Sequence, residues 1–187
     1  LHHGEKLTAL PDEEVTLAET LKRHGYATAN YGKAHLRVDP KAYGFDEEIT
    51  GWVRSYHYPF GGAYNEKLPA KKGDYYTDKL TDAALDFIER NKDQPFFVHL
   101  EHFAVHDPIQ GRPDLVDKYR KKLAAMPERE GPDFILESNP DGPPLTKEEL
   151  NALTENDELQ AHQDARVWWV KQKQDNVEFA GMLEATD

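Results

Sequence analysis

Hydrophobic and polar positions along this chain switch between helical and extended spacing, which predicts helices separated by short strands. Residues 16–24 begin with Thr16-Leu17-Ala18-Glu19, which fits a capping box, and Gly25 follows as a stop signal, so a helix is expected there. A short strand is expected from Tyr26 to Tyr31. Thr77 is expected to cap a second helix, whose apolar positions recur at i, i+4, i+7 and i+8 and which ends near Asn91.

The segment after that helix predicts the fold class. The run Phe96-Phe97-Val98-His99-Leu100 is apolar on both faces, which is typical of a central strand in a sheet covered by helices. A third helix is expected from Pro113, with a buried stripe formed by Leu115, Val116, Tyr119 and Leu123. The alternation of helices and strands therefore predicts an α/β fold, a central sheet flanked by helices.

Two long stretches are expected to lie outside regular structure. Residues 39–74 are rich in glycine and aromatic residues and are predicted to form a long loop with a hairpin. Residues 126–145 contain five prolines and are predicted to form a long Pro-rich insertion or loop. Loops of this size are usually functional, and aromatic rings with polar edges suit stacking on sugars, although they also suit packing of the loop on the sheet.

The end of the chain carries two further helical signals. Thr146-Lys147-Glu148-Glu149 is a second capping box, with Leu145 and Leu150 at the positions of a hydrophobic staple. Residues 166–187 have helical spacing but no Gly or Pro stop, and Glu184 and Asp187 stand where the helix dipole disfavours negative charge. We therefore expect the chain to stop within a helix, as a piece of something longer.

Charge restricts the partners. The net charge is −12, and residues 1–125 carry 18 Lys/Arg against 20 Asp/Glu, whereas residues 126–187 carry 5 against 15. Nucleic acid and anionic membranes both need a positive protein surface, so neither is expected as a partner, and no apolar run reaches the length of a membrane span. An anionic ligand would be drawn to the first two thirds of the chain, while the sequence leaves the oligomeric state open.

Gly32-Lys33-Ala34-His35, at the exit of the first predicted strand, is one candidate site. Side chains two residues apart in extended backbone point the same way, so Lys33 and His35 can converge on one anion. The pair would combine a fixed positive charge with a group that titrates near neutral pH. From spacing alone, a solvated lysine and a turn histidine remain an alternative.

The segment from Glu101 to Pro108 is the second candidate. Together with His99 in the preceding strand, His102 and His106 suggest metal binding. Period-2 alternation places His99 and His102 on opposite faces, however, so a three-histidine metal site is not expected. His99 is predicted to be a satisfied core histidine. His106 lies in a turn beyond the strand, a suitable place for acid–base chemistry.

Several short motifs in a fixed order carry a family resemblance. They are Thr16-Leu17-Ala18-Glu19-Thr20-Leu21-Lys22, Gly25-Tyr26, Gly32-Lys33-Ala34-His35-Leu36, Gly44-Phe45-Asp46, Tyr76-Thr77-Asp78 with Phe87-Ile88, Pro95-Phe96-Phe97 and His102-Phe103-Ala104-Val105-His106-Asp107-Pro108. Together they resemble the middle of a sulfatase of the arylsulfatase type, within the alkaline-phosphatase-like superfamily. The resemblance implies that residues 1–187 are the central part of one sulfatase catalytic domain. Ala34 departs from the pattern, since the family usually has Trp there.

The resemblance implies catalytic roles for several of these residues. Lys33 would contact the sulfate, His35 would help a covalent sulfate adduct to collapse, and His106 would hold the sulfate or protonate the leaving oxygen. Ser55 and His57 would line the substrate site. The implied substrate is a sulfated small molecule or glycan, and the implied location is periplasmic or secreted.

The family's remaining catalytic groups are missing from this sequence. The nucleophile is a formylglycine made from Cys or Ser in a Cys/Ser-x-Pro-x-Arg motif, which does not occur here, and the acidic residues of the calcium site would lie outside the chain. We therefore expect calcium and formylglycine in the complete protein, and no activity from this chain alone. A phosphoester or phosphonate hydrolase of the same superfamily and a noncatalytic anion- or glycan-binding module remain alternatives.

Overall fold

The structure is a computed structural model, and it describes residues 10–11, 13–34, 39–50, 68–128, 130, 134–136, 141–143, 145–146, 148–149, 152, 169–171 and 173–187. The chain divides into two compact units. One comprises Leu1–Tyr119 with Val177–Asp187, and the other comprises Arg120–Asn176. The candidate functional residues that the structure describes all belong to the first unit.

The first helix forms as its local sequence predicts. Helix α1 spans Leu17–Arg23 and is preceded by Thr16, whose hydroxyl accepts from the Glu19 backbone N–H at 3.1 Å. The Glu19 carboxylate accepts in turn from the Thr16 N–H at 2.8 Å, which completes the capping box. Gly25 follows with φ +83°, a left-handed conformation that glycine adopts without a Cβ penalty.

A parallel sheet of three strands forms the centre of this unit among the described residues. Strand β1 spans Ala27–Gly32, β2 spans Glu47–Thr50 and β3 spans Phe96–Glu101, in the spatial order β2-β1-β3. The sheet with its helices confirms the predicted α/β class.

Alternate residues of β1 and β3 face two different layers. On one side, Ala29 and Tyr31 join a core cluster with Leu80, Ala84 and Phe87 of helix α2, which spans Tyr76–Asn91. Helix α4, Val177–Glu184, contributes Met182 to the same cluster, where its side chain is fully buried.

Polar contacts dominate the other side of β1. There the Thr28 hydroxyl bonds both the Gly44 carbonyl and the Asp46 carboxylate.

The described part of residues 39–74 shows no hairpin, and residues 51–67 of that stretch lie outside the described residues. Pro40–Tyr43 form a 3-10 helix, and β2 pairs in parallel with β1, with Ala29 opposite Glu47. The prediction that β3 is central was wrong among the described residues, because β1 lies between β2 and β3 and every residue of β3 is only half-buried. Strand β2 is an edge strand, and edge strands tolerate polar residues such as Glu47. These polar residues are why the sequence did not predict a strand there.

The spans predicted for the second and third helices are confirmed, but not every side-chain role predicted for them is. Helix α2 ends at Asn91 as expected, yet it begins at Tyr76, so Thr77 lies inside the first turn and is 1% exposed instead of capping the helix. Helix α3 spans Pro113–Ala124 and buries Leu115 and Val116 as expected, whereas Leu123 is exposed.

The end of the chain also differs from its prediction. Within the second unit, β4 at Phe134–Leu136 pairs antiparallel with β5 at Trp169–Lys171, both in stretches where the sequence predicted no strand. The second capping box is confirmed by the bonds between Thr146 and Glu149, while Leu150 lies outside the described residues.

Helix α4 ends at Glu184, so the expectation that the chain stops within a helix was wrong. The Lys118 ammonium lies 2.5 Å from the Glu184 carboxylate and compensates the unfavourable charge at this helix end.

None of the helices described in the structure is long and apolar enough to cross a membrane.

Candidate functional site

The exit of β1 is shaped by one glycine. Gly32 has φ +109°, and a Cβ built on it would lie 1.7 Å from the Glu101 carbonyl oxygen. This contact allows the ends of β1 and β3 to approach closely, and the next backbone N–H, that of Lys33, donates to the same carbonyl at 3.0 Å. Lys33 therefore lies at the carboxyl edge of the sheet, where α/β proteins present ligand-binding groups.

Phe103 connects the two predicted site segments. The Lys33 ammonium lies 6.0 Å from the centroid of the Phe103 ring, a cation–π distance. The Phe103 carbonyl accepts from the His106 backbone N–H at 2.8 Å, which closes the turn beyond β3. The Lys33 ammonium and the His106 backbone N–H thus both contact Phe103.

The His106 ring is exposed and its tautomer is defined by one contact. Nδ1 lies 3.0 Å from the Asp107 carbonyl oxygen, which can only accept, so Nδ1 carries the hydrogen and donates it. The other three predicted site residues, His35, Ser55 and His57, lie outside the described residues.

His99 is satisfied, as predicted, but it is not a core residue. Its Nδ1 donates to Asn30 Oδ1 at 2.9 Å, and its Nε2 lies 3.2 Å from a carboxylate oxygen of Glu101. The ring stacks against Phe97 and Phe45 on the side of the sheet that α1 packs against, and 45% of its side chain is exposed. This placement separates His99 from the face that carries His102.

His102 is a further residue whose environment the sequence did not predict. Its ring lines a cavity of about 450 Å³ together with Asp78, Asp82 and Leu100. Burial lowers the pKa of His102 from its ordinary value, although the Asp78 carboxylate acts in the opposite direction. Within the described part of the chain, its buried Nδ1 has no hydrogen-bond partner. The lowered pKa favours the neutral form of this ring.

The donor groups of the β3 exit do not suit a metal ion. Across the described residues, no three His, Cys, Asp or Glu side chains come close enough to hold one. These residues do not fit a calcium ion either, since calcium needs six to eight oxygen ligands.

A comparison with models of protein families identifies the class of protein. The sulfatase family model matches residues 2–162, so the chain belongs to the sulfatase family.

Individual relatives agree with this assignment. A sulfatase of Formosa agariphila is 27% identical, with the match covering 67% of this chain and 32% of that protein. An N-acetylgalactosamine-6-sulfatase of Canis lupus familiaris is 32% identical, over 54% of this chain and 24% of that protein. The chain thus spans about a third or less of the length of these two relatives.

A solved structure agrees at the level of the fold. The crystal structure of Ps i-CgsB superimposes with a TM-score of 0.56 at 17% sequence identity, and the match covers 97% of this chain and 36% of that one. Identity at this level indicates a shared fold alone.

Proposed function

We propose that this chain forms the basic part of a sulfatase active site, in a protein that hydrolyses a sulfate ester of a carbohydrate to an alcohol and inorganic sulfate. The observation that carries the proposal is that the Lys33 ammonium lies over the Phe103 ring while the turn that presents His106 closes on the Phe103 carbonyl, at the carboxyl edge of a parallel sheet. A sulfate ester needs a cation beside its oxygens and an acid for its leaving group, and these two side chains have that chemistry.

Each residue has a definite task in this proposal. The Lys33 ammonium binds oxygens of the sulfate and stabilises the charge that they carry in the transition state. As the bond between sulfur and the ester oxygen breaks, its electron pair stays on that oxygen, which takes the Nε2 proton of a His106 ring that is protonated on both nitrogens. His35 would assist the later collapse of the sulfated enzyme, and Ser55 and His57 would contact the substrate.

The nucleophile and metal would come from elsewhere in the protein. The sequence contains no cysteine and no Ser-x-Pro-x-Arg segment from which a formylglycine is made, and the described residues do not fit calcium. We propose that formylglycine and calcium are supplied by segments outside these 187 residues, and we derive no step through either group. A periplasmic or secreted location belongs to the same proposal.

The carbohydrate substrate has two supports. The Canis lupus familiaris relative is an N-acetylgalactosamine-6-sulfatase, a protein named for a sulfated sugar. The second support is the aromatic composition of the segment that contains Trp52 and Tyr56, which lies outside the described residues. Aromatic rings of this kind suit stacking on sugar faces.

A substrate panel tests the proposal. The complete protein that carries this chain is assayed with N-acetylgalactosamine 6-sulfate, 4-nitrophenyl sulfate and 4-nitrophenyl phosphate. We expect sulfate release, with the highest kcat/KM for the sugar sulfate, and a loss for that substrate on Trp52→Ala. A preference for the phosphate ester would contradict the sulfatase proposal. Binding of sulfated sugars without turnover would favour the noncatalytic alternative, and a preference for the aryl sulfate that Trp52→Ala leaves unchanged would contradict only the carbohydrate substrate.

A further inference from the structure

The segment that carries His106 is held at both ends by the start of helix α2. At its entry, the Phe103 ring packs edge-on against the Tyr76 ring, with centroids 5.9 Å apart and an interplanar angle of 72°. At its exit, the Tyr75 hydroxyl donates to the Gln110 carbonyl at 2.8 Å. Two adjacent buried tyrosines, Tyr75 and Tyr76, thus contact the chain on either side of His106.

Further contacts hold the backbone at the exit. The Gln110 N–H points to the Met182 sulfur at 3.1 Å, and the Gly111 N–H donates to the Glu178 carboxylate at 2.7 Å. Gly111 leaves no space for movement toward α3, since a Cβ there would lie 2.4 Å from a Val116 methyl group. The exit is therefore fixed from helices α2, α3 and α4.

An ion pair closes the same exit on its outer side. Arg112 donates to Asp78 of α2 at 3.0 Å and to Asp114 at 2.8 Å, and its side chain is 33% exposed. Asp78 is three residues beyond Tyr75 in the sequence, so one turn of helix α2 provides both contacts. The Tyr75 bond differs from the ion pair because it is buried and reaches the backbone two residues closer to His106.

We propose that Tyr75 is a positioning residue for His106, an inference that rests on the proposed function. Without the Tyr75 hydroxyl, the Gln110 carbonyl loses its side-chain donor and the exit of the turn relaxes. A displacement of about 1 Å at a reacting group can cost about 100-fold in rate, so a smaller shift of the His106 ring is expected to cost about tenfold. Tyr75 is 3% exposed, so in this proposal it acts through the backbone of the turn and not by contact with the substrate.

The test uses the dependence of rate on the leaving group. An acid that protonates the leaving oxygen matters most when that oxygen is basic, as in a sugar sulfate, and least for 4-nitrophenyl sulfate. In the complete protein, Tyr75→Phe should lower kcat/KM about tenfold for the sugar sulfate and less than about threefold for the aryl sulfate. A role in stability alone would lower both rates by the same factor.

Tyr43→Phe is the matched control. The Tyr43 hydroxyl also donates to a backbone carbonyl, that of Leu10 at 3.3 Å, but Tyr43 belongs to the 3-10 helix and lines a cavity with α1 on the other side of the sheet. Its removal should leave both rates within twofold of the wild type. Equal losses for the two substrates with Tyr75→Phe, or the same pattern with Tyr43→Phe, would overturn the inference.

His106→Ala separates this inference from the proposed function. If His106→Ala shows no selective loss with the sugar sulfate, the proposed role of His106 is wrong. If His106→Ala is selective and Tyr75→Phe is not, only the positioning role of Tyr75 is wrong. Should Tyr75→Phe fail to fold, Arg112→Gln loosens the same exit from its partly exposed side, and it must show the same selectivity for the inference to stand.

Discussion

Replacing Gly32 with alanine should damage the edge of the sheet where Lys33 begins. The substitution adds one methyl group at a position with φ +109°, and that methyl group would lie 1.7 Å from the Glu101 carbonyl oxygen. The same carbonyl accepts the Lys33 N–H, so β1 must move away from β3 at the point where the candidate site is built. The expected result is loss of stability together with displacement of Lys33.

The size of the effect follows from two contributions. A positive φ costs an L-residue about 1–2 kcal/mol, and losing the bond between Lys33 and Glu101 adds about 1 kcal/mol. Gly25 provides a matched control because it has φ +83° but no atom within 4 Å of the position that a methyl group would take there. We expect the free energy of unfolding to fall by about 1 kcal/mol with Gly25→Ala and by about 3 kcal/mol with Gly32→Ala.

Urea unfolding followed by circular dichroism measures both variants. With a slope of about 2 kcal/mol per molar, the expected difference of about 2 kcal/mol separates the two midpoints by about 1 M urea. Coincident midpoints for Gly25→Ala and Gly32→Ala would show that the backbone approach at Glu101 does not matter. That outcome would contradict the role of Gly32 in positioning Lys33.

Two further predictions concern the sheet and its core. The Arg90 guanidinium holds the pKa of Glu47 below its ordinary value of 4.5, so the pair contributes stability above that pH, and this stability is lost as the pH falls through the lowered pKa. The Arg90 and Glu47 side chains are 55% and 40% exposed, so Arg90→Ala should lower the free energy of unfolding by no more than about 1 kcal/mol at pH 7 and make stability depend less on pH below 4.5. An unchanged dependence of stability on pH in this acid range would contradict the prediction. Leu80 is fully buried, whereas Leu85 on the same helix is 59% exposed. In urea unfolding, Leu80→Ala should therefore lower the free energy of unfolding by about 2–5 kcal/mol and Leu85→Ala by less than about 1 kcal/mol, and similar losses would show that α2 is packed differently.

Elements with local signals could be predicted from the sequence. The capping box at Thr16, the strand before Gly32 and the apolar run from Phe96 each depend on neighbouring residues, and each lies where it was expected. Strand β2 was missed because a charged residue such as Glu47 is more typical of a loop. At the edge of the described sheet, however, a strand can carry such residues, because only its backbone has to pair with the neighbouring strand.

The residues of the candidate site also fall into those that local sequence signals predict and those that depend on distant contacts. Lys33 and His106 could be placed at strand exits because strand order along the chain brings such exits to one edge. The roles of Phe103 and Tyr75 depend on contacts across tens of residues, such as the bond from Tyr75 to Gln110, 35 positions away. No spacing rule predicts a contact at that separation.

The proposed active site depends above all on Lys33, so the decisive measurement is the kcat/KM of a Lys33→Ala variant of the complete protein toward a sulfate ester. Lys92→Ala is the control, because Lys92 follows α2 at the opposite end of the sheet and pairs only with the exposed Glu89 among the contacts described. We expect Lys33→Ala to lose at least about 100-fold, as removal of a group that stabilises transition-state charge typically does, and Lys92→Ala to stay within twofold of the wild type. A Lys33→Ala variant that hydrolyses the sulfate ester at the wild-type rate would contradict the assignment of this sheet edge as the sulfate site.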